Sequence, residues 1–181
     1  MIGKKKFYTF CMNMIYSIKR HKEVPVSITR EFHDINDGDS EIVRYNAFDK
    51  SNGKFIGYVD LIDTKNGAKV SFIKNQEPKL YKHFGQLADR IEVEHCFKRG
   101  IDKPYIHSVA ARDTYVQHFL RGKRFIDEGL NIYLEHITKN LSKGEKVHTD
   151  FFKNTKMYMP INMINELKEK IKLYPLLKNI K

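Results

Sequence analysis

The chain has 181 residues, enough for one domain with a proper core and too few for two comfortable ones. Apolar residues make up 41% and glycine and proline are sparse, which excludes a long disordered region. The formal charge of +11 and pI of about 9.5 suit polyanionic partners (nucleic acid, an anionic membrane surface, a polyanionic cofactor) as well as a plainly solvated lysine-rich surface. Cys11 and Cys96 have no CxxC or Cys/His spacing, so neither a disulfide framework nor a zinc site is expected. The expectation is a reduced, cytoplasmic protein without metal, each cysteine packing as a small hydrophobe.

The first segment, KKKFYTFCMNMIYSIKR, has a basic cluster and an apolar run that is too short to span a bilayer and has no cleavage-site residues. Phe7, Phe10, Met14 and Ile18 repeat at helical spacing and predict an amphipathic helix over about residues 5–20. The lysines and arginines around it leave contact with an anionic membrane open. Val24 to Ile28 reads as a strand. Phe32 to Ser40, with His33, Asp34, Asn36, Asp37 and Gly38, reads as a loop without calcium-site spacing.

A β region follows. Glu41–Phe48, Lys54–Asp63 and Lys69–Ile73 are predicted strands, separated by the turn signals Ser51-Asn52-Gly53 and Asn66-Gly67. They make an antiparallel meander. Pro78 suits the first turn of a helix, and Leu80, Phe84, Leu87 and Ile91 make its apolar stripe up to Gly100. Glu92, Glu94 and His95 on that helix read as solvated positions. Tyr105 to Val109 is a short strand, and a crossover through the long helix would set it parallel to the last meander strand. A helix from Asp113 to Arg121 then stops at Gly122, where a residue at positive φ is wanted. Leu130, Leu134, Ile137 and Leu141 predict another helix. Val147–Phe152 and Lys156–Pro160 are candidate strands, and a C-terminal helix spans about residues 161–174. No internal repeat or linker interrupts the chain. The fold class is α+β: one domain over residues 1–181, with a central mixed, mostly antiparallel sheet and flanking helices.

A three-strand meander, a long helix closed by Gly100-Ile101, a strand, and a helix whose His118 stands four positions before Gly122 resemble the core of the GNAT family of N-acetyltransferases. In that family the late helix often ends in Tyr or His, two or three residues, and Gly-Phe. Here the run is His118-Phe119-Leu120-Arg121-Gly122-Lys123-Arg124-Phe125, and Met157 to Ile161 is similar to the closing strand. The resemblance covers roughly Glu41 to Gly122. It implies a GNAT-like acyl-CoA N-acyltransferase fold, acetyl-CoA as cosubstrate and an amine as acceptor. His118 takes the position of the group that protonates the leaving thiolate, a role that an imidazole with an ordinary pKa near ~6.5 suits. Ile73, Lys74 and Asn75 would polarise the acyl carbonyl and line the cofactor. Lys79 and Lys82 would supply charge to its pyrophosphate. Tyr58, Asp60 and His107 take acceptor-side positions. The family's Gln/Arg-x-x-Gly-x-Gly/Ala phosphate loop is replaced by Lys74-Asn75-Gln76-Glu77-Pro78-Lys79-Leu80-Tyr81-Lys82, with no glycine before Gly85. A second class therefore stays open: a GNAT-fold protein without catalysis, binding nucleic acid, an anionic membrane or a protein partner. A homodimer is compatible with either.

Overall fold

In a computed structural model, residues 14–34, 41–109, 114–140, 155–178 and 180 are described. The three strands of the expected meander are β3 (Glu41–Asp49), β4 (Lys54–Thr64) and β5 (Gly67–Asn75), and β2 (Lys22–Asp34) adds a fourth, each antiparallel to the next. The β3–β4 turn closes with Gly53 at φ 70°, a left-handed value that glycine adopts without Cβ strain. β1 (Met14–Ser17) pairs antiparallel with β2, and β6 (Tyr81–Lys82) with β1. Helix α1 (Phe84–Lys98) leads to β7 (Tyr105–Val109), which is parallel to β5. Then come α2 (Tyr115–Arg121), β8 (Arg124–Phe125), α3 (Glu128–Asn140), β9 (Lys156–Tyr158) and α4 (Ile161–Leu173). The nine strands lie in the order β6-β1-β2-β3-β4-β5-β7-β9-β8. The mixed, mostly antiparallel sheet and the helix near the C-terminus agree with the sequence reading.

Two expectations are corrected. Residues 14–17 are strand and not helix: Ile15 and Ser17 alternate inward, and Met14 to Ser17 satisfy their backbone by pairing with Pro25 to Lys22. Residues 18–20 of the predicted helix form a turn, and its residues 5–13 lie outside the described residues, as do the predicted loop at 35–40, the Asp113 cap and the 147–152 strand. Phe32 to Asp34, expected in that loop, extend β2.

The long helix begins at Phe84, six residues after Pro78. Asn75 holds the chain in a turn first: its Oδ1 accepts the Glu77 N–H at 3.0 Å and its Nδ2 donates to the Tyr81 carbonyl at 2.9 Å. Tyr81 is buried and its hydroxyl donates to Asp49 at 2.9 Å, so β6 forms where a first helical turn was expected. His83, at φ 69°, then turns the chain into α1.

One face of the sheet carries the core. Val43, Tyr45, Ala47, Val59, Leu61 and Ile106 belong to one buried cluster with Leu87, Ala88 and Ile91 of α1 and Ile164 and Ile171 of α4. Each such aliphatic side chain, fully withdrawn from water, contributes roughly 1.5–3 kcal/mol. Tyr115, Phe119, Phe125, Leu134 and Met157 form a second cluster that seats α2 and α3. Among the described residues no helix is long and apolar enough to cross a membrane.

Candidate active site

The site follows from where β5 and β7 part. Their parallel pairing covers Gly67–Val70 against Tyr105–Ser108 and stops there. β5 runs on to Asn75, bonded only to β4, with a register shift at Asp60/Leu61 that leaves Ser71 without an opposite residue. Among the described residues no strand pairs with the outer edge of β5 from Ser71 onward.

A cleft of about 480 Å³ lies beside that edge. Ile73 and Asn75 line it from β5, His83 to Gln86 from the start of α1, and Gln117, His118 and Arg121 from α2. The His83 side chain makes no capping hydrogen bond to α1, whose first-turn amides carry the positive end of the helix dipole. Gly85 sits in that turn. A Cβ there would stand 2.6 Å from the Arg121 guanidinium, so glycine is what lets this cation lie against the helix start.

Gly122, at φ 113°, ends α2 with the Lys123 N–H on the His118 carbonyl at 3.0 Å. The turn drives Lys123 inward, to 1% exposure. There its ammonium meets Asp89 at 3.1 Å and Glu92 at 2.8 Å, both on α1 and both buried. Arg121 donates to the same Asp89 through Nε at 2.7 Å and Nη2 at 3.3 Å, and through Nη2 to His118 Nδ1 at 2.8 Å. Burial raises the Asp89 carboxyl, but Lys123 and Arg121 more than offset it and hold its pKa low. Burial pushes Glu92 up to about 7 against the pull of Lys123, and among the described residues Glu92 Oε1 has no hydrogen-bond partner.

His118 is buried beside two cations. Burial first, then Lys123 and Arg121, drive its pKa down to about 3. The near-neutral pKa expected of an ordinary imidazole is therefore corrected: at pH 7 this ring is uncharged. The sign for stability follows. Between 6.5 and about 3 the unfolded chain binds a proton at His118 that the folded chain does not, so this histidine removes stability as pH falls through that window. Glu92 acts oppositely between about 7 and 4.5, where the folded state holds the extra proton. Comparing the wild type with His118→Gln isolates the first effect. From pH 7 to pH 5 the variant should lose about 2 kcal/mol less than the wild type in urea titrations. Equal losses would show that His118 is not held neutral.

Of the residues expected at the site, Ile73, Asn75 and His118 converge on the cleft. Asn75 spends its amide on the turn after β5, and so contributes shape more than hydrogen bonds. Lys79 and Lys82 are exposed and do not line the cleft. Register explains the rest. Tyr45, Val59 and Ile73 form one cross-strand row on the α1 side, where the Tyr45 hydroxyl hydrogen-bonds His95 at 2.8 Å. Asn46, Tyr58 and Lys74 form the next row, which faces the reverse side. On that reverse face Arg44 grips Asp60 with two bonds of 2.7 Å and lies 4.1 Å over the Tyr58 ring, which stacks on Phe72. His107 is also there, stacked on Tyr105 at 5.2 Å. The expected acceptor residues thus flank the splayed strands from behind, apart from the cleft.

Glu92, Glu94 and His95 are buried, contrary to the solvated reading. His95 Nε2 donates to Asp63 at 2.6 Å, and Glu94 accepts the Leu176 and Leu177 N–H groups at 2.8 and 2.7 Å. Sequence reasoning also missed Gly85, Asp89, Arg121 and Lys123. A signal existed: Gly85, Asp89, Glu92 and Cys96 fall on one line of α1 at helical spacing, and a glycine at one end and a cysteine at the other mark an inward row. Cys96 is buried and its thiol is pushed up to about 12 by that burial, as befits a packed, unreactive cysteine. Among the described residues no group of three or more His, Cys, Asp or Glu could hold a metal ion.

No family model matches the chain, and no curated protein matches it. Among solved structures it is similar to a GNAT-family acetyltransferase from Staphylococcus aureus Mu50, at 17% identity and a TM-score of 0.39. The match covers 65% of this chain and 66% of that one.

Proposed function

We propose that the chain is an acyl-CoA-dependent N-acyltransferase, with an acetyl thioester as donor and an amine as acceptor. The observation that carries this reading is the parting of β5 from β7 after Val70, beside a cleft lined by the end of β5 and the start of α1. An extended amide-bearing chain pairs with a strand edge as an added strand would. A pyrophosphate suits backbone N–H groups at a helix N-terminus, and Gly85 and Arg121 keep that turn approachable and positive. The residues present therefore fit acyl-CoA without the glycine-rich loop.

The cosubstrate would supply the acyl group as an activated thioester. The Phe84 and Gly85 amides and Arg121 would hold its phosphates, and the β5 edge near Ile73 to Asn75 would offer an N–H to the acyl oxygen. His118 lines the same cleft and has no partner at Nε2 among the described residues, leaving that atom for the departing sulfur. The amine would come from the reverse face, past Tyr58, Asp60 and His107. Replacement of the phosphate-loop glycines by Lys74 to Lys82 transfers the anchoring to the helix itself.

Thermal unfolding with acetyl-CoA tests the reading. At 100-fold excess over Kd, binding adds about 2.7 kcal/mol, a rise of roughly 5–10 °C for a chain of this size. Gly85→Val should abolish most of the rise by displacing Arg121. Absence of a shift, or an equal shift with polyphosphate, would reject acyl-CoA binding.

A further inference from the structure

We infer that Arg121 is a positioning residue: held by Asp89, it fixes His118 as the Nε2–H tautomer, so that His118 serves the cleft as a neutral hydrogen-bond donor and not as an acid or base. The role at a leaving group rests on the acyl-transfer reading; the tautomer does not.

A guanidinium has N–H groups and no acceptor, so at 2.8 Å from Arg121 Nη2 the His118 Nδ1 must be the acceptor. The one proton of the neutral ring is then on Nε2. Protonating Nδ1 would set N–H against N–H and place a third positive charge beside Arg121 and Lys123. Arg121 cannot swing aside to permit it, because two bonds tie it to Asp89 and Asp89 is tied in turn to Lys123. The charged groups acting on His118 are Asp89 from α1, Arg121 from the end of α2 and Lys123 from the turn after it, and His83 at the start of α1 lines the same cleft. Asp89 is engaged by both cations and makes no hydrogen bond to the ring among the described residues. Nε2 has no partner among the described residues.

A neutral imidazole is far too weak an acid to surrender its remaining proton. At the transfer step the amine nitrogen bonds to the acyl carbon and the carbon–sulfur bond breaks. The electron pair leaves on sulfur, where the Nε2–H hydrogen bond stabilises it. The thiolate then takes a proton from water, and the amine's surplus proton goes to water. His118 ends the cycle as it began.

The test is NMR of protein with ¹⁵N-labelled imidazoles, His118 being assigned by its absence in His118→Gln. The expected result is a single neutral ring, protonated at Nε2, with no inflection between pH 5 and 8. In Arg121→Met the ring should show mixed tautomers and titrate closer to the ordinary range. A wild-type inflection in that window, a proton on Nδ1, or an Arg121→Met spectrum identical to wild type would each overturn the inference. Should Arg121→Met fail to fold, the wild-type titration still decides. No acyl-CoA is needed, so a neutral Nε2–H ring in a protein that ignores acetyl-CoA would sink the transferase reading alone.

Discussion

Lys123→Met is expected to cost about 3–5 kcal/mol at neutral pH, the range for removing one partner of a buried ion pair. The methylene stem is replaced almost volume for volume, so little of the loss comes from packing. It comes from Glu92, fully buried and already lacking a partner at Oε1, which loses its one ammonium contact, and from Asp89, which keeps only Arg121. Glu92 can escape by staying protonated, and the escape is costly in proportion to how far solution pH lies above its ordinary 4.5. The deficit should therefore grow as pH rises above about 7, where the folded wild type sheds that proton and the folded variant keeps it. Adding Glu92→Leu to Lys123→Met should recover most of the loss, because an apolar pair is no worse buried than an ionic one. Urea titration of the three variants at two pH values measures this. A single variant within 1 kcal/mol of wild type would mean that the ammonium is solvated after all.

Gly57→Ala is the second large effect. Gly57 has an ordinary backbone conformation, and the constraint on it is space: a Cβ would stand 2.1 Å from the Lys74 carbonyl oxygen, 3.0 Å from the Asn75 Cα and 3.0 Å from the Phe84 ring. The nearest atom is backbone, so a rotamer change cannot relieve it. The end of β5 must move off β4, at about 3 kcal/mol or more. The movement falls on the stretch of β5 that borders the cleft, so acetyl-CoA binding should weaken in whatever fraction remains folded. Gly53→Ala is the control. It has open space around it and a left-handed φ of 70°, so it should cost only about 1–2 kcal/mol of backbone strain and leave binding intact. If the two substitutions cost the same, the close approach at Gly57 does not exist.

These two positions also show what the sequence makes legible. The meander is readable because its turns are chemically explicit, at Ser51-Asn52-Gly53 and Asn66-Gly67, and its strands are long. The strand from Tyr105 and the glycine stop at 122 are readable for the same reason. β1 and β6 are not, because a four-residue and a two-residue strand gain their stability from pairing with each other and with β2, which no local pattern records. The start of α1 was misplaced because Pro78 and Leu80 fit a helical first turn locally. The Asn75 turn and the buried Tyr81 hydroxyl override that preference from outside the segment. This error hid Gly85, which looked like a mid-helix glycine and is a first-turn one. The His118 position was legible by spacing, but its protonation state was not, since it depends on Lys123 and Arg121 arriving beside it through the Gly122 turn.

Helix α1 has one further consequence. Its 15 residues, roughly 22 Å of rise, are fastened at five side chains. Arg121 and Lys123 bind Asp89 and Glu92 in the first half, Tyr45 and Asp63 bind His95, and the chain after α4 binds Glu94 and Lys98. An axial slip or a roll of the helix would break bonds at all of them at once. The amides of its first turn are therefore set in place before any anion arrives, and little ordering entropy remains to be lost on binding. Such a site should discriminate by shape among phosphate-bearing molecules while moving very little itself.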